Sequence, residues 1–102
     1  MNKELPPSNK EEVSEQEMIE AIQSGDRAVI QKWTKQEERK LAKTSEAEIE
    51  FTCRLARLCL VAGDIDQAWE LFNMAQYQAL QEQNQLLYAA IMAEMDRVDL
   101  FS

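Results

Sequence analysis

Two cysteines and a group of glutamates are the side chains of this sequence whose chemistry could serve catalysis. Cys53 and Cys59 could supply thiolate nucleophiles, and Glu46, Glu48 and Glu50 could supply carboxylates to a proton transfer or a metal ion. The chain contains no histidine, so the usual activator of a thiol and the commonest metal ligand are both missing. The glutamates fall at a predicted helix start, where they complement the helix dipole. We therefore expect no enzyme activity, no metal site and no cofactor.

The spacing of the two cysteines also bears on the cellular compartment. Cys53 and Cys59 are six residues apart in one predicted helix, which separates them by about 9 Å along its axis. A disulfide requires Cα atoms within about 7 Å, so this helix cannot hold one. Free thiols, a start without an apolar signal segment and the lack of a membrane-spanning apolar run are together typical of a soluble cytoplasmic protein.

The composition predicts one small folded domain. The 102 residues are 45% hydrophobic and 29% charged, which is the usage of ordinary globular domains. The net charge is −8, from 11 basic and 19 acidic residues, and this argues against nucleic acid or an anionic membrane as the partner. Basic or neutral proteins are more natural partners of such a chain.

Turn residues predict an all-α chain built from helical hairpins. Pro6 and Pro7 oppose helix formation near the start, so residues 1–13 are expected to be a flexible tail. Gly25 and Gly63 are each followed by an aspartate, the pattern of a helix that ends at glycine and restarts at once. Residues 14–102 then form a single helical domain, a five-helix stack with hairpins at 14–43 and 46–82 and a C-terminal helix at 85–98.

Capping residues and apolar spacing refine these helices. Caps are predicted at Ser14, Ser45 and Asn84, and the five helices at about 14–24, 27–43, 46–62, 65–82 and 85–98. In the second helix Glu37 falls in the middle of an otherwise apolar face. The fourth helix is expected to turn six side chains inward, namely Ile65, Ala68, Trp69, Phe72, Ala75 and Leu80.

Residues 49–82 resemble a tetratricopeptide repeat, a pair of helices with characteristic residues at fixed positions. The resemblance is carried by Leu55, Ala56, Ala68, Phe72 and Ala75, with the turn Gly63-Asp64-Ile65-Asp66. Thr52, Cys59 and Leu80 occupy further positions of the pattern, where the family favours an aromatic residue, a tyrosine and a proline. The repeat period is about 34 residues. A shift by this period aligns four residues of the fifth helix with four residues of the third, namely Leu86, Ala89, Ala90 and Ala93 with Thr52, Leu55, Ala56 and Cys59. The fifth helix therefore resembles the first half of a further repeat, or a capping helix in its place. A generic antiparallel helical bundle is the alternative.

The fifth helix is unusually apolar for the last element of a sequence. Residues 86–93 are eight consecutive non-polar residues, and a helix that is apolar all round must be buried all round. One side can pack on the 46–82 hairpin. We predict that the other side binds another chain or a second copy of this one, through Leu87, Tyr88, Ile91, Met92 and Met95. The alternative is that the first hairpin folds over this face and closes a five-helix core.

A second candidate surface is basic. Lys32, Lys35, Arg39 and Lys43 fall on one side of the predicted second helix. Such a strip could attract an acidic segment of a partner or of this chain. The alternative is an ordinary solvated helix face.

These features predict a non-catalytic interaction module, an adaptor or small chaperone that binds a helix or extended segment of another protein. Small acidic all-helical proteins with such hairpins resemble bacterial secretion chaperones, which shield aggregation-prone partners until export. The alternative is a homo-oligomeric structural or regulatory subunit that self-associates through the C-terminal helix. Nucleic acid and membrane are not expected as partners.

Overall fold

The computed structural model describes the backbone of residues 12–101 and the side chains of residues 12–98. Within that range the chain forms five helices and no strand, which confirms the predicted all-α class. Most of the predicted tail, residues 1–11, lies outside the described residues. In chain order the helices are α1 (Glu15–Ser24), α2 (Arg27–Glu38), α3 (Ser45–Ala62), α4 (Ile65–Gln81) and α5 (Gln85–Phe101).

The chain divides into two compact units between Lys40 and Leu41. The first unit contains α1 and α2, which pack against each other. The second contains α3, α4 and α5, and in it α4 packs against both of its neighbours in sequence. The middle helix of the second unit is therefore α4.

Both predicted glycine turns form. Gly25 and Gly63 adopt the left-handed conformation, with φ of +76° and +90°. Asp26 and Asp64 then cap the next helix, because each carboxylate accepts the backbone N–H three residues on, at 3.3 Å and 3.2 Å. The backbone N–H of each aspartate donates to a carbonyl in the last turn of the preceding helix, at 2.9 Å and 2.8 Å. Two residues thus reverse the chain and join each pair of helices as a hairpin.

The turn between α4 and α5 has the same geometry without a glycine. Gln83 has a φ of +58°, and among the described residues it is the one non-glycine with a positive φ. The Asn84 N–H donates to the Ala79 carbonyl at 3.0 Å, and the Asn84 side chain accepts the Leu87 N–H at 3.1 Å, which confirms the predicted cap. A residue with a Cβ costs about 1–2 kcal/mol in this conformation, so Gln83 is a strained position.

α2 is shorter than predicted. It ends at Glu38, and Arg39 and Lys40 form a turn in which the Lys40 N–H donates to the Glu37 carbonyl at 3.1 Å. Two glutamates, Glu37 and Glu38, occupy the last turn of the helix, where the negative end of the helix dipole disfavours them. The prediction of a helix to residue 43 used only the spacing of apolar residues, which does not take the charge of these glutamates into account.

α3 also begins one residue earlier than its predicted cap allows. Thr44, not Ser45, is the capping residue, and its hydroxyl accepts the Ala47 N–H at 3.1 Å. The backbone at Thr44 is extended, with φ −132° and ψ 152°. Both residue types are good caps, so only the backbone conformation decides between two neighbouring hydroxyls.

In the first unit one glutamine fixes the start of α1 to α2. The Gln36 side-chain amide accepts the backbone N–H of Val13 at 2.8 Å and donates to the Val13 carbonyl at 2.9 Å. Val13 is buried, so the last residue of the predicted tail belongs to the packed structure. Ser14 follows as the cap of α1 and forms the predicted capping box with Glu17.

Glu37 is a buried carboxylate on the apolar face of α2, where the sequence pattern places it. Its carboxylate accepts hydrogen bonds from Gln36 Nε2 at 3.0 Å and from Lys40 Nζ at 3.1 Å. Burial of a carboxylate is costly unless hydrogen bonds and an opposite charge compensate it, and these two donors do so.

The core of the second unit lies where its three helices meet. Its buried residues are Ile49, Cys53, Ala56, Phe72, Ala75, Ala79, Ile91 and Met95, and Leu60, Leu71, Leu87, Tyr88 and Val98 pack partly against them. Three of the buried residues are alanines, and small side chains let helix axes approach closely. Phe72 is the largest side chain of this cluster and comes from the middle helix.

The strained turn predicts a stabilising substitution. Gln83→Gly should raise the free energy of unfolding by about 1 kcal/mol, because glycine adopts a positive φ without the Cβ penalty. Gly63→Ala should lower it by a similar amount. Apart from Gly63 and its two chain neighbours, no residue has an atom within 4 Å of the position that a Cβ would take there, so that loss would come from the backbone conformation alone.

Urea denaturation followed by circular dichroism measures both changes. Gln81→Gly, in the last turn of the same helix, is the matched control and should destabilise by up to about 1 kcal/mol. A Gln83→Gly protein less stable than the parent would contradict the assigned turn geometry.

Candidate functional site

α4 has a buried face and an exposed apolar edge beside it. Ala68, Phe72, Ala75 and Ala79 are fully buried. Three side chains that the sequence pattern turned inward are instead exposed, by 41% at Ile65, 36% at Trp69 and 59% at Leu80. The prediction that these three side chains point into the core is wrong. The core contacts only the narrow stripe of α4 with i, i+4, i+7 spacing that the four buried residues form, and each of the three lies outside it.

α5 turns two of its predicted interface residues into the core of the second unit. Ile91 and Met95 are 1% and 6% exposed, and both belong to the core cluster of the second unit. Leu87 and Tyr88 are half-buried and pack against that cluster, while Met92 is 38% exposed. The five residues predicted as one partner-binding face are therefore divided, and Tyr88 and Met92 are the two that reach the surface next to α4.

Gln76 joins these two residues to the edge of α4. Its Nε2 atom lies 3.4 Å from the Tyr88 hydroxyl oxygen and 2.7 Å from the Met92 sulfur. Trp69 and Leu80 lie about two turns before and one turn after Gln76 on the same side of α4. We name this seam the α4–α5 groove and define it by Trp69, Gln76, Leu80, Tyr88 and Met92.

A cavity of about 390 Å³ opens at the turn end of the α4–α5 groove. Its lining residues are Ala79, Leu80, Gln83, Asn84, Gln85 and Tyr88. None of them carries a charge at neutral pH, and the amide side chains can both donate and accept hydrogen bonds. This end of the groove therefore suits an apolar or neutral polar side chain.

The outer face of α5 continues the groove away from the core. Leu86 is 86% exposed, and Ala89, Ala90 and Ala93 are exposed as well. We name these four residues the outer face of α5. They lie on the side of the helix opposite Ile91 and Met95, since successive residues advance by about 100°.

The 34-residue shift found in the sequence relates this outer face to a buried face of α3. Ala56 and Cys59 of α3 are buried, and Ala56 packs in the core with Phe72 and Ala75 of α4. Their counterparts on α5, Ala90 and Ala93, are exposed. In the described part of the chain α5 thus presents, uncovered, the position that matches Ala56, at which α3 packs against α4.

A salt bridge joins α5 to α3 on the side of α5 away from α4. The Arg57 guanidinium of α3 donates to both carboxylate oxygens of Glu94, at 2.5 Å and 2.9 Å. Hydrogen bonding to Glu94 raises the pKa of Arg57 further, so the guanidinium keeps its positive charge. Glu94 and Met92 flank the buried stripe of α5 on opposite sides, which leaves only the α4 edge and the outer face open.

The predicted basic strip does not lie on one helix. Lys32 and Lys35 are exposed on α2, but Arg39 follows the end of that helix and Lys43 belongs to the segment before α3. The strip was predicted on a helix extending to residue 43, and the early end at Glu38 removes its last turn. Attraction of an acidic segment by these four residues stays a prediction.

Both cysteines are buried free thiols, as the spacing predicted. Burial raises the pKa of Cys53 to about 11, although the nearby Arg57 partly opposes this. Burial also raises the pKa of Cys59, and Asp64 adds to the effect. Both groups are therefore protonated near neutral pH and lack the thiolate that a nucleophile needs.

Two further kinds of site are absent from the described residues. No described helix is both long and apolar enough to cross a membrane. Among the same residues no three cysteine, aspartate or glutamate side chains are grouped so that they could hold a metal ion.

Comparison of the chain with models of protein families, with curated proteins and with solved structures finds no match in any of the three.

The buried thiol predicts a loss of stability in alkaline solution. Because the pKa of Cys53 is higher in the folded protein than in the unfolded chain, where thiols titrate near about 8.5, the unfolded state loses its proton first. The contribution of Cys53 to the free energy of unfolding should be fully present below about pH 8.5 and decline as pH rises towards about 11.

Alkylation by iodoacetamide, with peptide mapping, tests the same burial. About 8 M urea is enough to unfold a small domain. At pH 8 Cys53 should therefore be modified much more slowly in the folded protein than in urea of about this concentration. Equal rates in the two conditions would contradict the burial of this thiol.

Proposed function

We propose that this protein is a non-catalytic interaction module that binds a helix of another protein along the α4–α5 groove and the outer face of α5. One observation supports this most directly. The α5 positions that match the helix-receiving face of α3 are exposed, and exposed apolar side chains of α4 adjoin them. The most economical occupant of such a surface is a further helix.

The residue types of the outer face fit this occupant. Alanines at Ala89, Ala90 and Ala93 let a second helix approach to the usual distance of about 8–10 Å between axes. The exposed Leu80, Leu86 and Met92 surround them with larger apolar side chains. A partner helix would thus meet small residues along its line of contact and larger ones at its flanks.

The expected affinity is moderate. Full burial of a large apolar side chain contributes about 1.5–3 kcal/mol. Of the three exposed side chains, Leu80 and Met92 are already partly covered, so each would contribute less than this. Association costs about 4–15 kcal/mol in lost freedom of motion. A groove of this size therefore favours a reversible complex, which suits an adaptor or a small chaperone that must release its partner.

The tetratricopeptide-like interpretation of residues 49–82 agrees with this proposal. In such an array each first helix is covered by the second helix of its own repeat, and a bound helix would supply that element for α5. Support comes from the burial of Ala56 and Ala68 on the two sides of the Gly63 turn, where the resemblance requires small residues.

The absence of catalysis and the compartment are parts of the same proposal. The sequence lacks histidine, and burial keeps Cys53 and Cys59 in their unreactive protonated form. Two thiols that remain free are consistent with the reducing cytoplasm.

A methionine pair provides the test of the groove. Met92→Glu should weaken binding of the native partner at least tenfold, because it places a charge in the apolar seam. Met74→Glu makes the same change at another exposed methionine of the second unit, on the side of α4 away from Gln76, and should leave binding unchanged.

The measurement is affinity purification of the tagged chain and both variants from the source cells, followed by quantitative mass spectrometry. Circular dichroism verifies that each variant is folded. A partner that Met92→Glu retains as well as Met74→Glu does would contradict the assigned surface. Light scattering after size-exclusion chromatography detects the competing outcome, a dimer that Met92→Glu dissociates.

A further inference from the structure

The hairpin that forms the α4–α5 groove is strongly acidic. Residues 64–102 contain seven acidic residues and one basic residue, which is a net charge of −6. They account for most of the net charge of −8 of the whole chain. Whatever binds this hairpin meets a negative potential.

Three of these acids lie near one end of the groove. Gln76 of α4 lies opposite Tyr88 and Met92 of α5, which sets the register of the two antiparallel helices. Trp69 lies seven residues before Gln76 on α4. Asp96 lies about the same distance beyond the turn of α5 that faces Gln76, so Trp69 and Asp96 are at about the same level along the two helices.

Two acidic side chains of α4 accompany Asp96 at that level. Asp66 and Glu70 are exposed within about one turn of Trp69. Arg97 is the single basic residue of α5, and Glu94 is already paired with Arg57. The end of the groove at Trp69 is therefore acidic, whereas the end at the cavity is lined by uncharged residues.

Trp69 adds a second reason for a cation at the acidic end. Its indole is partly exposed. The face of an indole attracts lysine and arginine side chains, and neighbouring carboxylates strengthen that preference. The apolar side chains of the groove thus favour a ligand with an aliphatic face. The acidic side chains favour basic residues beside that face.

The same charge disfavours a second copy of the chain as the occupant. Pairing two α4–α5 hairpins would bring together two segments, residues 64–102 of each copy, that each carry a net charge of −6. Like charges that face each other across an interface oppose association.

Given the proposed function of the groove, on which this inference rests, we propose that its ligand is a basic amphipathic helix, bound with lysine or arginine side chains at the Trp69 end. The aliphatic face packs on Leu80, Met92 and the outer face of α5. The basic residues lie near Asp66, Glu70 and Asp96.

Three synthetic peptides of 17 residues, the length of α4, test this proposal. They share one face of leucine and alanine and carry lysine, glutamine or glutamate on the rest of the helix. Fluorescence anisotropy of the labelled peptides with the full chain measures Kd. We expect the lysine peptide to bind roughly tenfold more tightly than the glutamine peptide, and the glutamate peptide to bind least. The preference should shrink as salt rises from 0.05 M to 0.5 M, over which the screening length falls to about 4 Å.

Charge-neutral variants locate the effect. The triple variant Asp66→Asn, Glu70→Gln, Asp96→Asn should lose most of the preference for lysine over glutamine. The matched control makes the same change of net charge at three exposed glutamates of the first unit, Glu12→Gln, Glu20→Gln and Glu38→Gln, and should keep the preference. A control that loses it equally would show that net charge alone attracts the peptide, which overturns the assigned position.

The outcomes separate this inference from the proposed function. Equal binding of the lysine and glutamine peptides, abolished by Met92→Glu and not by Met74→Glu, overturns the basic ligand and leaves the groove in place. Failure of all three peptides to bind, or binding that Met92→Glu leaves unchanged, overturns both. A dimer that Met92→Glu dissociates assigns the groove to a second copy and overturns the basic ligand.

Discussion

Burial of Ile91 and Met95 against α3 and α4 sets the rotation of α5 about its own axis, and the exposed surface of the second unit follows from that rotation. With these two side chains inside, helical geometry sends Leu86, Ala90 and Ala93 to the opposite side and Met92 to the seam with α4. α5 is apolar on nearly every side over residues 86–93, so whichever stripe enters the core leaves another apolar stripe outside. The open face is a consequence of packing a uniformly apolar helix on one side only.

Three turns of one kind join consecutive helices into hairpins. In each, a residue with positive φ follows one helix and an aspartate or asparagine caps the next, so the chain reverses within two residues in the first two turns and within three in the third. Such short connections give adjacent helices no choice of neighbour. The third turn accepts the strain of Gln83 in a position that glycine fills in the other two, and it lies against the cavity at the end of the α4–α5 groove.

Reactive groups are absent from this open surface and buried elsewhere. The thiols of Cys53 and Cys59 are inside, and Glu94 is paired with Arg57. What the groove offers is apolar side chains, amides, one indole and exposed carboxylates at one end. That combination agrees with the proposed binding of a partner helix by shape and charge.

The sequence alone determined the helical class, both glycine turns, the Asn84 cap, the free thiols and the buried position of Glu37. These features depend on residues close together in the chain, where capping and backbone preferences act directly. It did not determine the end of α2, because apolar spacing is insensitive to the charges that oppose a longer helix. It also placed Trp69 and Leu80 inside and grouped Ile91 with Met92 as one face. Only the tertiary structure decided which stripe of α4 and of α5 is covered, because several stripes of each helix are apolar enough to enter a core and the choice is made by the neighbouring helices.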